Sequence, residues 1–109
     1  MNIDDAHKAV DFIRDNAATF AQAKADRIAL EEYRKSKKAL LMNECEASTV
    51  NAREQFAYSH ADYIALIEQI KQAVVVEETL KWQMTAAEMR CEVLRSAEAT
   101  ARTEVRATT

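Results

Sequence analysis

Between residues 62 and 105, apolar side chains recur at alternating steps of four and three, and no Gly or Pro interrupts them. The positions are Leu66, Ile70, Ala73, Glu77, Leu80, Met84, Ala87, Cys91, Leu94, Glu98, Ala101 and Val105, all apolar but the two glutamates. This is a coiled-coil seam, and it predicts one long helix over about 62–106. A second stripe, Val75, Thr79, Trp82, Ala86, Met89, Val93 and Ala97, is offset from the first by two residues, or about 200° around an α-helix. A helix with apolar flanks on two sides needs neighbours on both. Glu77 and Glu98 in the first seam are either polar residues that fix register or residues tolerated at its edge, and the second is the commoner situation.

The first half of the chain predicts a matching helix over about 4–45. Asp4 or Asp5 is the expected N-cap, with its carboxylate at the positive end of the helix dipole. Ile3, Ala6, Val10, Ile13, Ala17 and Phe20 keep seam spacing. Beyond Phe20 a strict heptad would put Lys24 and Arg27 in the seam, whereas Ala21, Ala25 and Ile28 continue an apolar stripe, so a stutter that locally unwinds the supercoil is expected. Leu30, Tyr33, Leu40 and Leu41 then carry an apolar face toward Met42. Frequent alanine from Ala6 to Ala29 favours helix and a close neighbour.

Periodicity is weakest from Asn43 to Asn51, and Ser48, Thr49 and Asn51 can all cap, so a break is expected near 46–49. A short helix over 50–58 follows within a connection spanning about 46–60. Ser59-His60-Ala61-Asp62 then reads as a capping box with Asp at its third helical position. With no Gly or Pro at that second break, an unbroken helix from Val50 onward stays open.

Two segments of about forty residues, or about 60 Å each at 1.5 Å per residue, joined by a short reversal make a long antiparallel helical hairpin. The fold expected for 1–109 is thus a single all-α, coiled-coil-like domain. One partner helix covers only one of the two stripes. The leftover stripe, with Val75, Trp82, Ala86, Met89, Val93 and Ala97, calls for a second copy, most simply as a homodimer of hairpins forming a four-helix bundle.

Composition narrows the function. The chain has 49% hydrophobic and 30% charged residues with few aromatics, the profile of long helices rather than of a disordered tail. Having no Gly or Pro, it lacks the residues that most readily form active-site loops. It has no Gly-rich phosphate loop, no HExxH, no nucleophile elbow and no Glu-x-x-His pair, so no enzyme activity, cofactor or metal is expected. Cys45 and Cys91 lack ligand spacing and read as buried thiols, and His7 and His60 as surface or capping residues. The opening Met1-Asn2-Ile3-Asp4-Asp5 carries acids where a secretory signal is basic, and no window approaches roughly eighteen apolar residues, so a cytoplasmic location is expected.

A formal charge of −3 gives no general attraction to nucleic acid or to an anionic membrane. The one dense basic run, Arg34-Lys35-Ser36-Lys37-Lys38, is read first as a solvated face with pairs such as Glu31 with Lys35, and second as a phosphate-binding patch. Arg95, Arg102 and Arg106 share a face, as a ridge tracking a nucleic-acid backbone would, and Arg90 lies nearby; Glu92, Glu98 and Glu104 are close enough to offset much of their charge. The favoured reading is a non-enzymatic protein that presents a helical surface to another protein. The alternative is a DNA-associated accessory protein using Arg34, Lys35, Lys37, Lys38, Arg95, Arg102 and Arg106.

The string Ala52-Arg53-Glu54-Gln55-Phe56-Ala57-Tyr58, then Asp62-Tyr63, Leu80-Lys81-Trp82, Ala86-Ala87, Glu92-Val93-Leu94-Arg95 and Ala99-x-Ala101-Arg102, resembles small helical-hairpin proteins encoded by tailed phages and prophages. The likeness covers about the second half of the chain and, more loosely, residues 37–42. Such proteins sit among early phage genes, some beside recombination functions. The resemblance implies a phage-type accessory protein acting inside a bacterial host cell, on an unidentified phage or host protein or on DNA. In the resembling proteins a Trp often precedes the arginine matching Arg95; here Leu94 stands there, and no Trp-dependent contact carries over.

Overall fold

The structure is a computed structural model describing residues 2–108. It is all-α: α1 spans Ile3–Glu44, α2 Val50–Ser59 and α3 Ala61–Thr108, which makes a long helical hairpin with a short helical connection. The chain divides into two compact units, Met1–Phe20 with Thr79–Thr109, and Ala21–Glu78. In the second unit Arg27 of α1 meets Glu77 of α3, and Lys37 meets Asp62. Numbers rise along α1 as they fall along α3, so the helices are antiparallel.

The α3 seam follows the spacing in the sequence up to Leu94. Leu66 and Glu77 are buried in the second unit, with Ile70 and Ala73 half-buried. In the first unit Ala87 and Leu94 are buried, and Leu80, Met84 and Cys91 are half-buried. Past Leu94 the seam ends: every residue from 95 to 108 is exposed, including Glu98, Ala101 and Val105.

The α1 seam differs from the expectation. Its buried and half-buried positions include Ala6, Ala9, Ile13, Asn16, Phe20, Ala23, Arg27 and Leu30, an unbroken alternation of three and four. No stutter occurs. The expected spacing is right at Ala6, Ile13 and Phe20 and one residue late between them: Val10 and Ala17 are exposed, while Ala9 and Asn16 face inward. Ile3, Ala21, Ala25 and Ile28 are exposed as well. Two polar residues are accommodated in this seam because each has a partner. Asn16 Nδ2 donates to the Phe12 carbonyl at 2.9 Å, and Arg27 pairs with Glu77. Farther along, Leu41 is buried and Leu30 and Met42 half-buried, but Tyr33 and Leu40 face solvent.

The helix ends explain how a chain without glycine reverses. Asn2, not Asp4 or Asp5, caps α1: its side-chain oxygen accepts from the Asp5 amide and its own amide donates to the Asp5 carboxylate, both at 3.1 Å. This is a capping box with Asp5 at the third helical position. Thr49, extended at φ −100° and ψ 147°, caps α2 by accepting from the Ala52 amide. Arg53 Nε donates to the Ala47 carbonyl at 2.7 Å and ties down the segment before it. The second break falls on His60, at φ −69° and ψ 138°. The capping box expected at Ser59 does not form, because the Ser59 hydroxyl donates backward to the Gln55 carbonyl. The His60 ring takes over that role, Nδ1 accepting from the Asp62 amide at 3.0 Å. No described residue has positive φ, so extended residues make both breaks and left-handed ones are not needed. Ala57 at 0% exposure and Leu41 at 1% anchor the second unit around these breaks.

Candidate functional site

In the unit containing the C-terminal part of α3, the buried seam and the second stripe lie on different faces of the same helix. Trp82, Met89 and Val93 are 65%, 62% and 55% exposed, and Ala86 and Ala97 lie between and beyond them, also exposed. A single copy therefore leaves three large apolar side chains at solvent on one face. Ala86 also lines a groove with Lys8, Ala9, Phe12, Gln83, Ala87 and Arg90, which joins this face to α1 within the unit. Val75 belongs to the other unit, where it is exposed like its neighbour Val76. Ile64 and Ile67 are exposed on α3 there too. The sequence reading passed over them because they fit neither stripe.

The basic run of α1 lies in the unit Ala21–Glu78 and is largely engaged by acids. Lys37 Nζ is 3.7 Å from Asp62, Lys38 Nζ is 3.5 Å from Glu54, and Lys35 pairs with Glu32. The expected Glu31 to Lys35 pair is not made, because Glu31 instead takes Arg27 Nη1 at 3.0 Å. Lys38 also sits over the Tyr58 ring, 4.7 Å from its centroid. Contact with Tyr58, and then the charge of Glu54, raises the Lys38 pKa above the ordinary lysine range. Arg34, Lys35, Lys38, Tyr58 and Tyr63 line one groove. Tyr58 and Tyr63 are the residues that sequence reasoning missed. Both stand in the strings that carry the phage resemblance, but nothing in their spacing marked them as neighbours.

The arginines near the C-terminus are in the first unit. Arg95 is paired with Glu92 on its own helix, and Arg102 and Arg106 flank Ala101 and Val105 around a shallow apolar groove.

Within the unit Ala21–Glu78, Arg27 donates Nη2 to Glu77 Oε1 at 3.0 Å and Nε to the other carboxylate oxygen. These bonds, followed by those to Glu31, push the guanidinium pKa further above its already high value. Arg27 is charged at any accessible pH, so the pair holds the helices in register and does not act in proton transfer. Of the two glutamates in the seam, Glu77 is thus a paired interhelical residue, and Glu98 is exposed.

Cys45 and Cys91 are free thiols, half-buried rather than fully buried. His7 is exposed and His60 caps α3. Among the described residues no group of three or more His, Cys, Asp or Glu side chains is arranged to hold a metal ion. No helix among them is long and apolar enough to cross a membrane. No family model, curated protein or solved structure matches the chain.

Proposed function

We propose that this chain is a non-enzymatic interaction protein that pairs with a second copy through the exposed α3 face of Trp82, Ala86, Met89, Val93 and Ala97. The observation that carries the reading is the exposure of Trp82, Met89 and Val93 on one face of a helix whose other face is already buried. Burying a large apolar side chain is worth about 1.5–3 kcal/mol. Three from each copy give a gross gain on the order of 10 kcal/mol, comparable with the ~4–15 kcal/mol cost of association. The dimer is therefore reversible and concentration-dependent. The resemblance to phage and prophage hairpin proteins supports a wider role as a scaffold, adaptor or inhibitor for a phage or host complex in the bacterial cytoplasm.

Sedimentation over a concentration series tests the pairing. The expected result is a mass rising above 12.3 kDa with concentration, with Trp82 fluorescence shifting to the blue, and neither change for Trp82→Asp at unchanged helicity. A solitary, well-folded particle at high micromolar concentration overturns the reading. For the wider role, affinity capture from phage-infected cells is run with the parent and with Trp82→Asp. A protein retained by the parent and lost with the variant supports a partner on this face.

A further inference from the structure

Three cations and two phenol rings line one groove in the unit Ala21–Glu78, and no carboxylate lines it: Arg34, Lys35 and Lys38 come from α1, Tyr58 from the last turn of α2 and Tyr63 from the first turn of α3. The break at His60 creates this juxtaposition. Residues five apart on an unbroken helix point about 140° away from each other. With His60 extended, the two rings meet edge to face, centroids 5.4 Å apart. On α1, Arg34 and Lys38 are one turn apart and share a face, with Lys35 beside them. Lys35 and Lys38 each touch an acid, Glu32 at 3.3 Å and Glu54 at 3.5 Å; the first pair is well exposed and weak, the second half-buried. Arg34 makes no ion pair with another described residue, and Tyr58, although Lys38 Nζ lies over its ring, is still 47% exposed.

We infer that this groove binds single-stranded nucleic acid, with a phosphate on Arg34 and the adjacent lysines and a base stacked on Tyr58. The inference does not rest on the pairing proposed for the α3 face. A stack on a tyrosine needs an unpaired base, which a duplex keeps inside its own stack. The groove, about 330 Å³, is at the small end of the ~300–1,000 Å³ range of ligand clefts, so it holds one nucleotide rather than tracking a strand. With a net charge of −3 the protein supplies no long-range attraction, so the contact is local and its salt dependence shallow. One nucleotide brings one phosphate, so at about 0.7 per neutralised phosphate the slope of log affinity against log salt is about −0.7.

Fluorescence anisotropy with labelled oligothymidine and oligouridine, titrated at several salt concentrations, tests this. Both are expected to bind; tighter oligothymidine binding identifies DNA as the source of the phosphate and base, and tighter oligouridine binding identifies RNA. Arg34→Gln, a change at an exposed residue, is expected to weaken binding several-fold and to flatten the slope toward zero. Tyr58→Leu is expected to weaken it roughly tenfold with the slope unchanged. Arg102→Gln, in the other unit, is expected to change nothing. The inference is overturned by no binding at low salt, by duplex DNA competing as well as single strands, or by Arg102→Gln costing as much as Arg34→Gln. Circular dichroism confirms that each variant keeps the parent's helicity.

Discussion

Arg27 on α1 forks onto the carboxylate of Glu77, fifty residues later on α3, while its remaining nitrogen reaches Glu31 one turn along its own helix. Glu77 is one of the most buried charged side chains described, at 8% exposure, and a buried carboxylate is tolerated only when paired and hydrogen-bonded. The fork also works as a register mark. Sliding either helix by one seam position would bring the arginine opposite an apolar residue of the α3 seam and separate it from Glu77.

Charge substitutions at this pair should therefore be asymmetric. Arg27→Ala takes away the fork that holds the buried Glu77 carboxylate, whereas Glu77→Ala leaves Arg27 with Glu31 and a partly open position. Arg27→Ala is expected to lower Tm by several degrees or more, and Glu77→Ala by less. The exchanged double variant Arg27→Glu with Glu77→Arg should recover much of the loss of the single reversals. Thermal denaturation followed by circular dichroism measures all of these. Equal losses for the two alanine variants, with no recovery in the exchange, would show that the fork does not set the register.

The same pair shows what the sequence could and could not convey. Along α3 the seam was legible from spacing because its buried positions are apolar, Glu77 excepted. Along α1 an arginine and an asparagine occupy seam positions, so a reading that sorts residues by polarity shifts to apolar neighbours such as Ala17 and Ile28 and invents a stutter. The missing information was two-body: Arg27 belongs in the seam because Glu77 stands opposite, and only the folded hairpin sets them side by side. The groove of Arg34 and Tyr58 was hidden for a related reason, since it depends on an extended residue at His60 that no Gly or Pro announced. The exposed stripe of Trp82 and Met89 was visible from the start, because a single helix fixes which residues share a face.

Two adjacent leucines test which face of α1 is the core. Leu41 is 1% exposed and Leu40 is 53% exposed. Leu41→Ala is expected to cost about 2–5 kcal/mol, the range for deleting a buried leucine side chain. Leu40→Ala should stay within about 0.5 kcal/mol of the parent, as exposed substitutions do. Urea denaturation gives both values. A larger loss at Leu40 would mean that this end of α1 is rotated from the orientation described.

The breaks on either side of α2 should differ in their sensitivity to capping. Among the described residues, Thr49 supplies the only side-chain oxygen that accepts from the first amides of α2. Thr49→Ala is expected to cost about 1 kcal/mol and Thr49→Asp to restore most of it. Ser59→Ala removes only a hydroxyl that donates back to a carbonyl within its own helix, and should be close to neutral. A Ser59→Ala loss matching that of Thr49→Ala would mean that Ser59, not His60, caps α3.

Amide hydrogen exchange should change sharply near Leu94 on α3. Up to that residue the helix has a buried seam against α1; from 95 to 108 every side chain is exposed, and an isolated stretch of that length is marginally helical in water. Opening free energies track buried contacts, so in dilute solution amides in 80–94 should exchange slowly and those beyond about 99 within the dead time of a manual experiment. Raising the protein concentration should add protection on 82–97 if a second copy covers Trp82 and Met89, with little change for amides already slow in Ala21–Glu78. Strong, concentration-independent protection of 99–108 would mean that this end of α3 packs on something within a single chain, and the exposed seam positions Ala101 and Val105 would then need a different account.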